Sequence, residues 1–496
     1  MSDAAIALNR FGLGARADER SPGDARGWLI EQIGRYRPVP PSIAVAPSSA
    51  AVAVDLLAYQ DEQRRIRRSE GAPNTAPTAA DRPMARVPAA MSESSQPATN
   101  VRRDAQQEAR QFARRAAQER YAALVGARTV AAITSDVAFA ERLVHFWSNH
   151  FAVSADKLEL IGLSGTLEME AIRPHVMGRF ADMLFAVERH PAMLLYLDQT
   201  VSVGPDSALG LRVAGRGRRK VGLNENLARE IMELHTLGVR TGYTQGDVTE
   251  FARAMTGWTV GGIGGGAGAR LAAAATPGSF VFMAAMHQPG ARTIMGKPYA
   301  KGGEAQAQAV LADLAVHPAT ARHIATKLAR HFAGDVPPPA MVARLEQVFL
   351  RSGGDLPTLY RALIASPEAW APAPAKFKTP WEWTVSAYRA LGTSEVKPQA
   401  IVGLMNQLGQ PVWKPGQPIG YDDTAPSWAG PDAVMRRVEA AERFAARAGG
   451  TIDARTLAPQ LFPEAVSPAT AQALARAESP GQALALLLVS PEMMRR

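Results

Sequence analysis

Acidic and amide side chains recur at helical spacing in the stretch GLNENLAREIMELHTLGV, residues 222–239. Asn226, Glu230 and Glu233 are spaced i, i+4 and i+7, so a helix would place them in one polar stripe. Carboxylates grouped in this way can ligate a divalent cation or exchange protons with a substrate. The stretch supplies two catalytic candidates, Glu230 and Glu233, and four ligand-binding candidates, Asn224, Glu225, Asn226 and Arg229. Glu225 and Arg229 are spaced i, i+4, so they can form an ion pair.

His235 differs from the other polar residues of this stretch. The apolar spacing predicts a helix over residues 225–237, with Asn224 as its N-cap and Gly238 as its stop. A regular helix places Glu233 and His235 on nearly opposite sides, so the two cannot ligate the same ion. In the last turn, His235 can instead interact with free carbonyl groups and with the helix dipole. We favour a structural role for His235 and keep it as a ligand-binding candidate.

A second polar stripe is predicted on a helix over residues 139–151, which contains FWSNHF. Glu141, His145 and Asn149 are spaced i, i+4 and i+8, and a glutamate can orient a histidine imidazole on the same face. His150 falls on the aromatic face, where a hydrogen-bonded role in the core is favoured. This helix and the later loop at residue 198 add one catalytic candidate, His145, and three ligand-binding candidates, Asn149, His150 and Asp198.

The elements that must position these residues are predicted to be mostly helical. Thr244 and Asp247 form a capping-box pattern, T-x-x-D, at the start of a further amphipathic helix. Residues 280–286 and 292–295, separated by a Pro-Gly turn, predict a β-hairpin. Residues 71–100 are rich in Ala, Pro, Ser and Thr and predict a low-complexity insertion. The expected fold class is mainly α: a multi-helix globular bundle with one small β-hairpin and that insertion.

The chain is expected to divide into three regions. Residues 1–36 form the N-terminal helices of the core, and residues 37–100 form a linker and the low-complexity insertion. Residues 101–496 form the helical core domain, with the hairpin near 280–295. Within that domain, a long helix over residues 102–132 presents arginines on one side. These arginines form either a solvated face or a contact surface for a partner protein.

The composition excludes several kinds of chemistry. The 496 residues include no cysteine, which excludes disulfides, thiolate catalysis, cysteine-based zinc sites and iron–sulfur ligation. The formal net charge is +9, but the excess lies in local runs and only 6% of residues are aromatic, so we expect no nucleic-acid binding. The strongest apolar run, residues 484–489, is too short to cross a bilayer, and no transmembrane segment is expected. No signal peptide is visible, so we expect a cytoplasmic protein, or a periplasmic one if a leader is missing.

Several phrases of the chain, in a fixed order, are typical of one family. They include LNRFGLGA from residue 8, FWSNHF from 146, GLNENLAREIMELHTLGV from 222, GYTQGDVTEFARAMTGWT from 242, HPATARHIATKLARHF from 317, KFKTPWE from 376 and LGQPVWKP from 408. In these phrases the chain resembles a bacterial family known as domain of unknown function 1800. The resemblance covers nearly the whole chain except residues 40–100. It implies a mostly helical protein and no known reaction.

Two classes of function remain open at this point. In the first, buried Glu, Asn, Arg and His side chains form the site of a metal-assisted enzyme or a ligand-binding protein, with a divalent metal as a candidate cofactor. In the second, the protein is a non-catalytic helical scaffold in which the same groups fix helix register. The family resemblance implies, for this second class, a partner protein of an export or envelope assembly. The residues alone slightly favour the scaffold, but the family phrases contain Asn-Glu-Asn, Asn-His and Leu-Asp groups that are unfavourable to bury without a purpose, so we prefer the first class.

Overall fold

The computed structural model describes residues 1–68, 96–215, 222–374 and 376–496. The predicted low-complexity insertion lies outside the described residues, except for residues 96–100, which begin a helix. Helices account for most of the described chain, and the strands found there form two small antiparallel sheets. The prediction of a mainly α fold is therefore confirmed.

The α-helices fall into two groups along the chain. Those before residue 260 are α1 (Asp3–Ile6), α2 (Ala25–Arg35), α3 (Pro41–Ala44), α4 (Ser49–Arg68), α5 (Gln96–Thr134), α6 (Ala138–His150), α7 (Leu158–Ile161), α8 (Ser164–Leu167), α9 (Phe180–Glu188), α10 (Pro191–Tyr196), α11 (Ala208–Ala214), α12 (Asn226–Glu230) and α13 (Gln245–Met255). Those after it are α14 (Gly266–Leu271), α15 (Glu304–Ala315), α16 (Pro318–Ala333), α17 (Pro339–Ser352), α18 (Leu356–Ala365), α19 (Pro380–Ala390), α20 (Pro398–Gln407), α21 (Pro431–Ala448), α22 (Ala454–Leu461), α23 (Pro468–Arg476), α24 (Pro480–Leu488) and α25 (Pro491–Met494).

Many of these helices start with the same local signal, a side-chain cap followed by proline. His317 caps α16, Thr379 caps α19 and Ser490 caps α25, and each accepts a hydrogen bond from a backbone N–H of the first turn. Proline at the next position lacks an N–H group that the helix would leave unpaired, and its fixed φ suits the first turn. The sequence thus sets these helix starts locally.

The helix that carries the first predicted stripe changes its winding. α12 is followed directly by a π-helical turn over Ile231–His235. The N-cap is Glu225 and not the predicted Asn224. Asn224 lies one residue earlier, where its Oδ1 accepts from the Asn226 N–H at 2.9 Å. At the other end, the Thr236 hydroxyl donates to the Ile231 carbonyl at 2.6 Å. A π turn is wider than an α turn, so the prediction of a regular helix over residues 225–237 is wrong in its last turn.

The strands pair differently from the predicted hairpin. β1 (Trp258–Val260) pairs with β2 (Phe280–Phe282), and β3 (Arg292–Ile294) pairs with β4 (Lys297–Tyr299). The hairpin between residues 280–286 and 292–295 is therefore wrong. The chain between β2 and β3 is held elsewhere, since the Gln288 N–H donates to the Thr256 hydroxyl at 2.7 Å. The tight turn lies instead at Met295 and Gly296, whose φ values of 49° and 76° suit a two-residue hairpin.

Two apolar clusters form the interior of the described chain. The first includes Trp147 of α6, Phe332 of α16 and most of the buried apolar residues up to Trp370. The second gathers α19 to α25 around Trp383, together with the C-terminal half of α5. The N-terminal turn, residues 11–13, joins the two clusters, because Phe11 belongs to the first cluster and Leu13 to the second. α6 and α16 therefore face α19 across a seam between the two clusters. The predicted limits of the three regions stay a prediction.

One stretch of the described residues is long and apolar enough to cross a membrane by length and composition. It is Pro41–Arg68, which contains α3 and α4, and its best window has a mean hydropathy of 1.5. A single such stretch is a weak indication, because helices of soluble proteins and signal sequences pass the same test.

Candidate functional site

A cavity of about 360 Å³ lies at the seam between the two apolar clusters. Its walls are formed by α6, α16, the start of α19 and the loop over residues 410–423. Residues of the π-helical turn after α12 close one side. The cavity is where polar side chains from these five parts of the chain meet.

α16 contributes the most strongly basic wall. His323, Lys327, Arg330 and His331 line the cavity. Their spacing of i, i+4, i+7 and i+8 places them on one face of the helix, while Leu328 and other apolar residues of the opposite face pack into the first cluster. The sequence pattern of this helix is therefore what turns a basic stripe toward the cavity.

α19 supplies a carboxylate that is fixed by its own helix start. Thr379 and Glu382 form a capping box, in which the Glu382 side chain accepts from the Thr379 N–H at 2.9 Å. The other oxygen, Oε1, pairs with Arg142 of α6 and lies 2.9 Å from Nε of Arg496. Arg142 also donates to the Gly12 carbonyl at 2.7 Å. The capping glutamate thus ties α6, the N-terminal turn and Arg496 to one point.

His331 is oriented by a carboxylate of the opposite loop. Its Nδ1–H donates to Oδ2 of Asp423, with 2.9 Å between the two atoms. The other oxygen of Asp423 lies 3.2 Å from Nζ of Lys376, and Arg496 donates to the His331 backbone carbonyl at 2.6 Å. Nε2 of His331 is left without a hydrogen-bond partner within the described ranges. When the ring is neutral, this nitrogen carries the lone pair.

His145 is held in the opposite tautomer. The indole N–H of Trp381 donates to His145 Nδ1 at 3.2 Å, and an indole nitrogen can only donate. Nδ1 is therefore the acceptor, and the proton of the neutral ring is on Nε2. That Nε2 also lacks a partner among the residues that the structure describes. The cavity thus contains one imidazole that can accept a hydrogen bond and one that can donate.

Burial keeps both imidazoles neutral. It lowers the pKa of His331 to about 4, although the charge of Asp423 acts in the opposite direction. Burial, reinforced by the positive charge of Arg128, also lowers the pKa of His145 well below its usual range. At neutral pH, both rings are therefore neutral, and their Nε2 atoms are buried without a hydrogen-bond partner among the described residues.

The loop over residues 410–423 forms an aromatic wall. The guanidinium of Arg128 lies 4.3 Å from the ring centroid of Trp381 and 5.2 Å from that of Trp413. This cation is also paired with Glu168 at 2.9 Å. Two hydrogen bonds of 2.8 Å join the Asn149 side-chain amide to the backbone N–H and C=O of Tyr421. The loop is therefore fixed against α6 by side chains distant in sequence.

Three of the sequence-predicted residues line this cavity: His145, Asn149 and Glu233. Asn149 uses its whole amide group to hold Tyr421, so it positions the wall. Glu233 lies 3.5 Å from Arg229, which is outside the lining. His145 is the one of the three whose free nitrogen could meet a ligand.

The other predicted residues of the 222–239 stretch and its neighbouring loop lie outside the cavity lining. Glu225 forms the predicted ion pair with Arg229 at 3.1 Å and accepts from the Thr249 hydroxyl at 2.7 Å. Asp198 pairs with Lys157 at 2.7 Å. The remaining residues of this group are capping or half-exposed: Asn224 donates to the Leu197 and Asp198 carbonyls, Asn226 is exposed, and burial raises the pKa of the half-buried Glu230.

The two buried histidine candidates are His235, which ends the π turn, and His150, which contacts that turn from α6. His235 donates through Nδ1 to Glu188 at 2.7 Å, with both side chains fully buried. The carbonyl of His235, left free by the helix end, accepts from Nε2 of His150 at 3.1 Å. His323 caps the neighbouring Leu234 carbonyl in the same way, also at 3.1 Å. These contacts give His150 a structural role in supporting the cavity wall.

No three His, Asp or Glu side chains in the described ranges are grouped so as to hold a metal ion. The divalent metal considered as a candidate cofactor, for which the sequence indicates no complete ligand set, therefore has no matching group of ligands in this part of the chain.

The residues that sequence reasoning missed come from other motifs. Glu382 lies in KFKTPWE, which the family resemblance includes, and Asp423 follows the LGQPVWKP phrase. Lys327 and His331 were visible as part of a basic helical stripe. The signal that could have found them is the run of polar residues on α16 opposite an aromatic-rich loop. Their pairing spans 92 positions between His331 and Asp423, which no local pattern encodes.

The fold and the cavity define a mainly helical protein with two neutral imidazoles at a cavity between its two apolar clusters. A family model described as a protein of unknown function (DUF1800) matches residues 6–495, so the chain belongs to that family. No match was found among curated proteins or among solved structures.

Glycine at position 420 is required by the loop geometry. Its φ is 84°, and a Cβ added there would lie 2.3 Å from the Asn149 carbonyl oxygen. We expect Gly420→Ala to lower the free energy of unfolding by about 2 kcal/mol or more, through backbone strain and displacement of the loop. Gly416 is a matched control in the same loop, because its φ is 79° but nothing lies within 4 Å. Chemical denaturation should show a clearly larger loss for Gly420→Ala, and equal losses would contradict the geometry.

Loss of the Glu382 charge should destabilise the whole chain. Glu382→Gln leaves Arg142 and Arg496 buried without their shared carboxylate, and breaking a buried pair of this kind costs about 3–5 kcal/mol. Asp432→Asn, which removes the partner of the more exposed Arg436, should change stability little. Urea denaturation at neutral pH measures both variants.

The same carboxylate predicts a pH dependence. Burial opposes ionisation of Glu382, but Arg496 and Arg142 hold its pKa well below the usual value of 4.5. A depressed pKa stabilises the folded state above the unfolded pKa and loses this effect as the pH falls. Acid should therefore destabilise the wild type more steeply than Glu382→Gln below about pH 4.5. Parallel acid profiles for the two proteins would contradict this.

Proposed function

We propose that the cavity binds a small organic molecule and transfers a proton to or from it, with His331 as the base and His145 as the hydrogen-bond donor. This proposal depends on the opposite tautomers of two imidazole rings that line one cavity. One free Nε2 accepts and the other donates. A base with an orienting carboxylate, facing a donor for developing negative charge, is the arrangement that proton abstraction needs.

The proposed step is abstraction of a proton from the carbon next to a carbonyl group. Nε2 of His331 takes the proton, and the electron pair of the broken bond moves onto the carbonyl oxygen of the ligand. That oxygen then accepts a hydrogen bond from Nε2–H of His145. Asp423 holds the His331 ring in the required tautomer and stabilises the imidazolium that forms. The reverse transfer returns the proton and regenerates both rings.

The walls support this chemistry by limiting the movement of the two rings. Trp381 fixes His145 through its indole N–H, and the two rings are nearly perpendicular at 5.4 Å between centroids. His331 packs against Phe146, with 5.4 Å between centroids, and against Phe332 at 4.9 Å. Side chains held in this way keep catalytic groups in a defined geometry without ordering them during the reaction.

A non-catalytic scaffold is the second candidate function, and one observation favours it. Asn149, Asn224 and Glu225, which the sequence marks as ligand-binding candidates, all use their polar atoms on partners within the protein. In that case the ion pairs at the seam would only fix how the helices pack. The free Nε2 atoms of His145 and His331 are the reason that we rank this function second.

Deuterium exchange tests the proposed function without knowledge of the final product. A panel of small carbonyl compounds, with and without a carboxylate, would be incubated with the protein in D₂O, and incorporation of deuterium would be followed by NMR. We expect at least one compound to exchange, and His331→Gln to slow the exchange by about a hundredfold or more. Loss of the His145 donor in His145→Ala should slow it by a smaller factor.

Two variants serve as controls in the same assay. His175 is a histidine outside the cavity lining, and Glu230 is a predicted catalytic residue that also lies outside it. His175→Gln and Glu230→Gln should retain exchange. Exchange that survives in His331→Gln, or no exchange with any compound of the panel, would contradict the proposal. Loss of exchange in Glu230→Gln alone would also contradict the proposal, and it would indicate a catalytic site in the 222–239 stretch.

A further inference from the structure

The basic wall of the cavity contains two cations, Lys327 and Arg330, that form no ion pair or hydrogen bond within the described part of the chain. Nε of Arg330 is buried there without a partner. The neighbouring cations differ in this respect, since Arg128 pairs with Glu168 and Arg142 pairs with Glu382. Half-buried charges without a partner are energetically unfavourable. A negatively charged group bound beside Lys327 and Arg330 would stabilise both of them.

The carboxylates of the cavity do not supply that group. Asp423 is already shared between His331 and Lys376, and Glu233 lies close to Arg229. Glu382 is bound by two arginines. Asp422 accepts hydrogen bonds from the hydroxyl groups of Thr424 and Ser427, within its own turn. Each acidic group therefore has partners of its own, whereas the two cations of α16 have none among the residues that the structure describes.

We propose that Lys327 and Arg330 bind the oxyanion group of the cavity ligand, a carboxylate or a phosphate. The inference rests on the proposed function for the location of the ligand, but it depends on different side chains. The ligand would be an organic acid or a phosphate ester whose remaining part lies against Trp381, Trp413 and the apolar residues Val239 and Ile419 of the lining. Arg330 can offer paired N–H donors to two oxygens, and Lys327 adds a point charge.

The helix geometry suits one anionic group. Lys327 and Arg330 are three residues apart on α16, so their side chains leave the helix on the same face. His331 follows directly and lines the same cavity. An acid bound by the two cations would present its neighbouring carbon to this base. The distance along the ligand between its anionic group and its reacting atom would thus be short.

The pKa of Lys327 agrees with an anion-binding role for this wall. Burial lowers the pKa of this amine to about 8, Asp423 acts to raise it, and Arg330 lowers it further. Two neighbouring cations repel each other, and an oxyanion between them would relieve that repulsion.

Three aromatic probes of similar size test the inference: phenylacetate, phenyl phosphate and the neutral phenylacetamide. Binding would be titrated by ligand-observed NMR at constant ionic strength. We expect at least one anionic probe to bind, and phenylacetamide to bind at least about tenfold more weakly. Preference between phenylacetate and phenyl phosphate identifies the natural group as a carboxylate or a phosphate. Equal binding of the neutral amide, or no binding of either anion, would overturn the inference.

Variants of α16 locate the binding. Lys327→Met and Arg330→Met should each weaken binding of the anionic probe by at least about tenfold. Both variants are expected to fold, since neither removes a partner from another described group. Arg322→Met is the matched control, because Arg322 lies on the same helix, is exposed and pairs with Glu346. Equal effects of Arg322→Met and Arg330→Met would show non-specific attraction and overturn the inference.

The failure of this inference can be separated from failure of the proposed function. His331→Gln removes the base but leaves Lys327 and Arg330 in place. If the inference is correct and the proposed chemistry is not, His331→Gln will retain anion binding and the wild type will show no deuterium exchange. If the chemistry is correct and the inference is not, exchange will occur equally with neutral carbonyl compounds and will be unaffected by Lys327→Met.

Discussion

The carboxylate of Glu382 is the group on which the rest of the site depends. One of its oxygens completes the cap of α19, and the other neutralises Arg142 and Arg496. Arg142 is simultaneously bound to Gly12 in the N-terminal turn. Four distant parts of the chain therefore meet at one buried charge. Removing it would take from Arg142 and Arg496 the carboxylate that they share at the seam between the two apolar clusters.

The cavity exists because the seam is polar. Two helical clusters that met through apolar faces alone would close against each other, as protein interiors normally do. Here, α6 and α16 each turn an apolar face into the first cluster and a polar face toward α19. Most of the polar groups at the seam are paired across it. The cavity is lined by four side chains with a polar group that has no partner among the described residues: His145, His331, Lys327 and Arg330. These groups determine which ligands the cavity can bind.

Sequence reasoning succeeded where the information is local. The capping box of Thr244 and Asp247 is present in both directions, and the Glu225–Arg229 ion pair forms at 3.1 Å. Both depend on residues three or four apart in one helix.

The partners of the two imidazoles could not be obtained in the same way. Trp381 is 236 positions from His145, and Asp423 is 92 positions from His331. A polar stripe shows that one face of a helix carries polar side chains, but it does not show which residues of other elements contact that face. The π turn at Ile231–His235 adds a second difficulty, because it alters the side-chain register that regular helical spacing assumes. The hairpin was misassigned for a similar reason, since the partner of β2 lies before it in the chain.

The protonation states of the two cavity imidazoles test the central claim most directly. Nitrogen-15 NMR of labelled protein, with His145→Gln and His331→Gln used to assign the signals, distinguishes the two tautomers and the charged form. We predict neutral rings at pH 7, with the proton on Nδ1 of His331 and on Nε2 of His145. Identical tautomers, or a positive charge on either ring at pH 7, would contradict a site built from one acceptor and one donor.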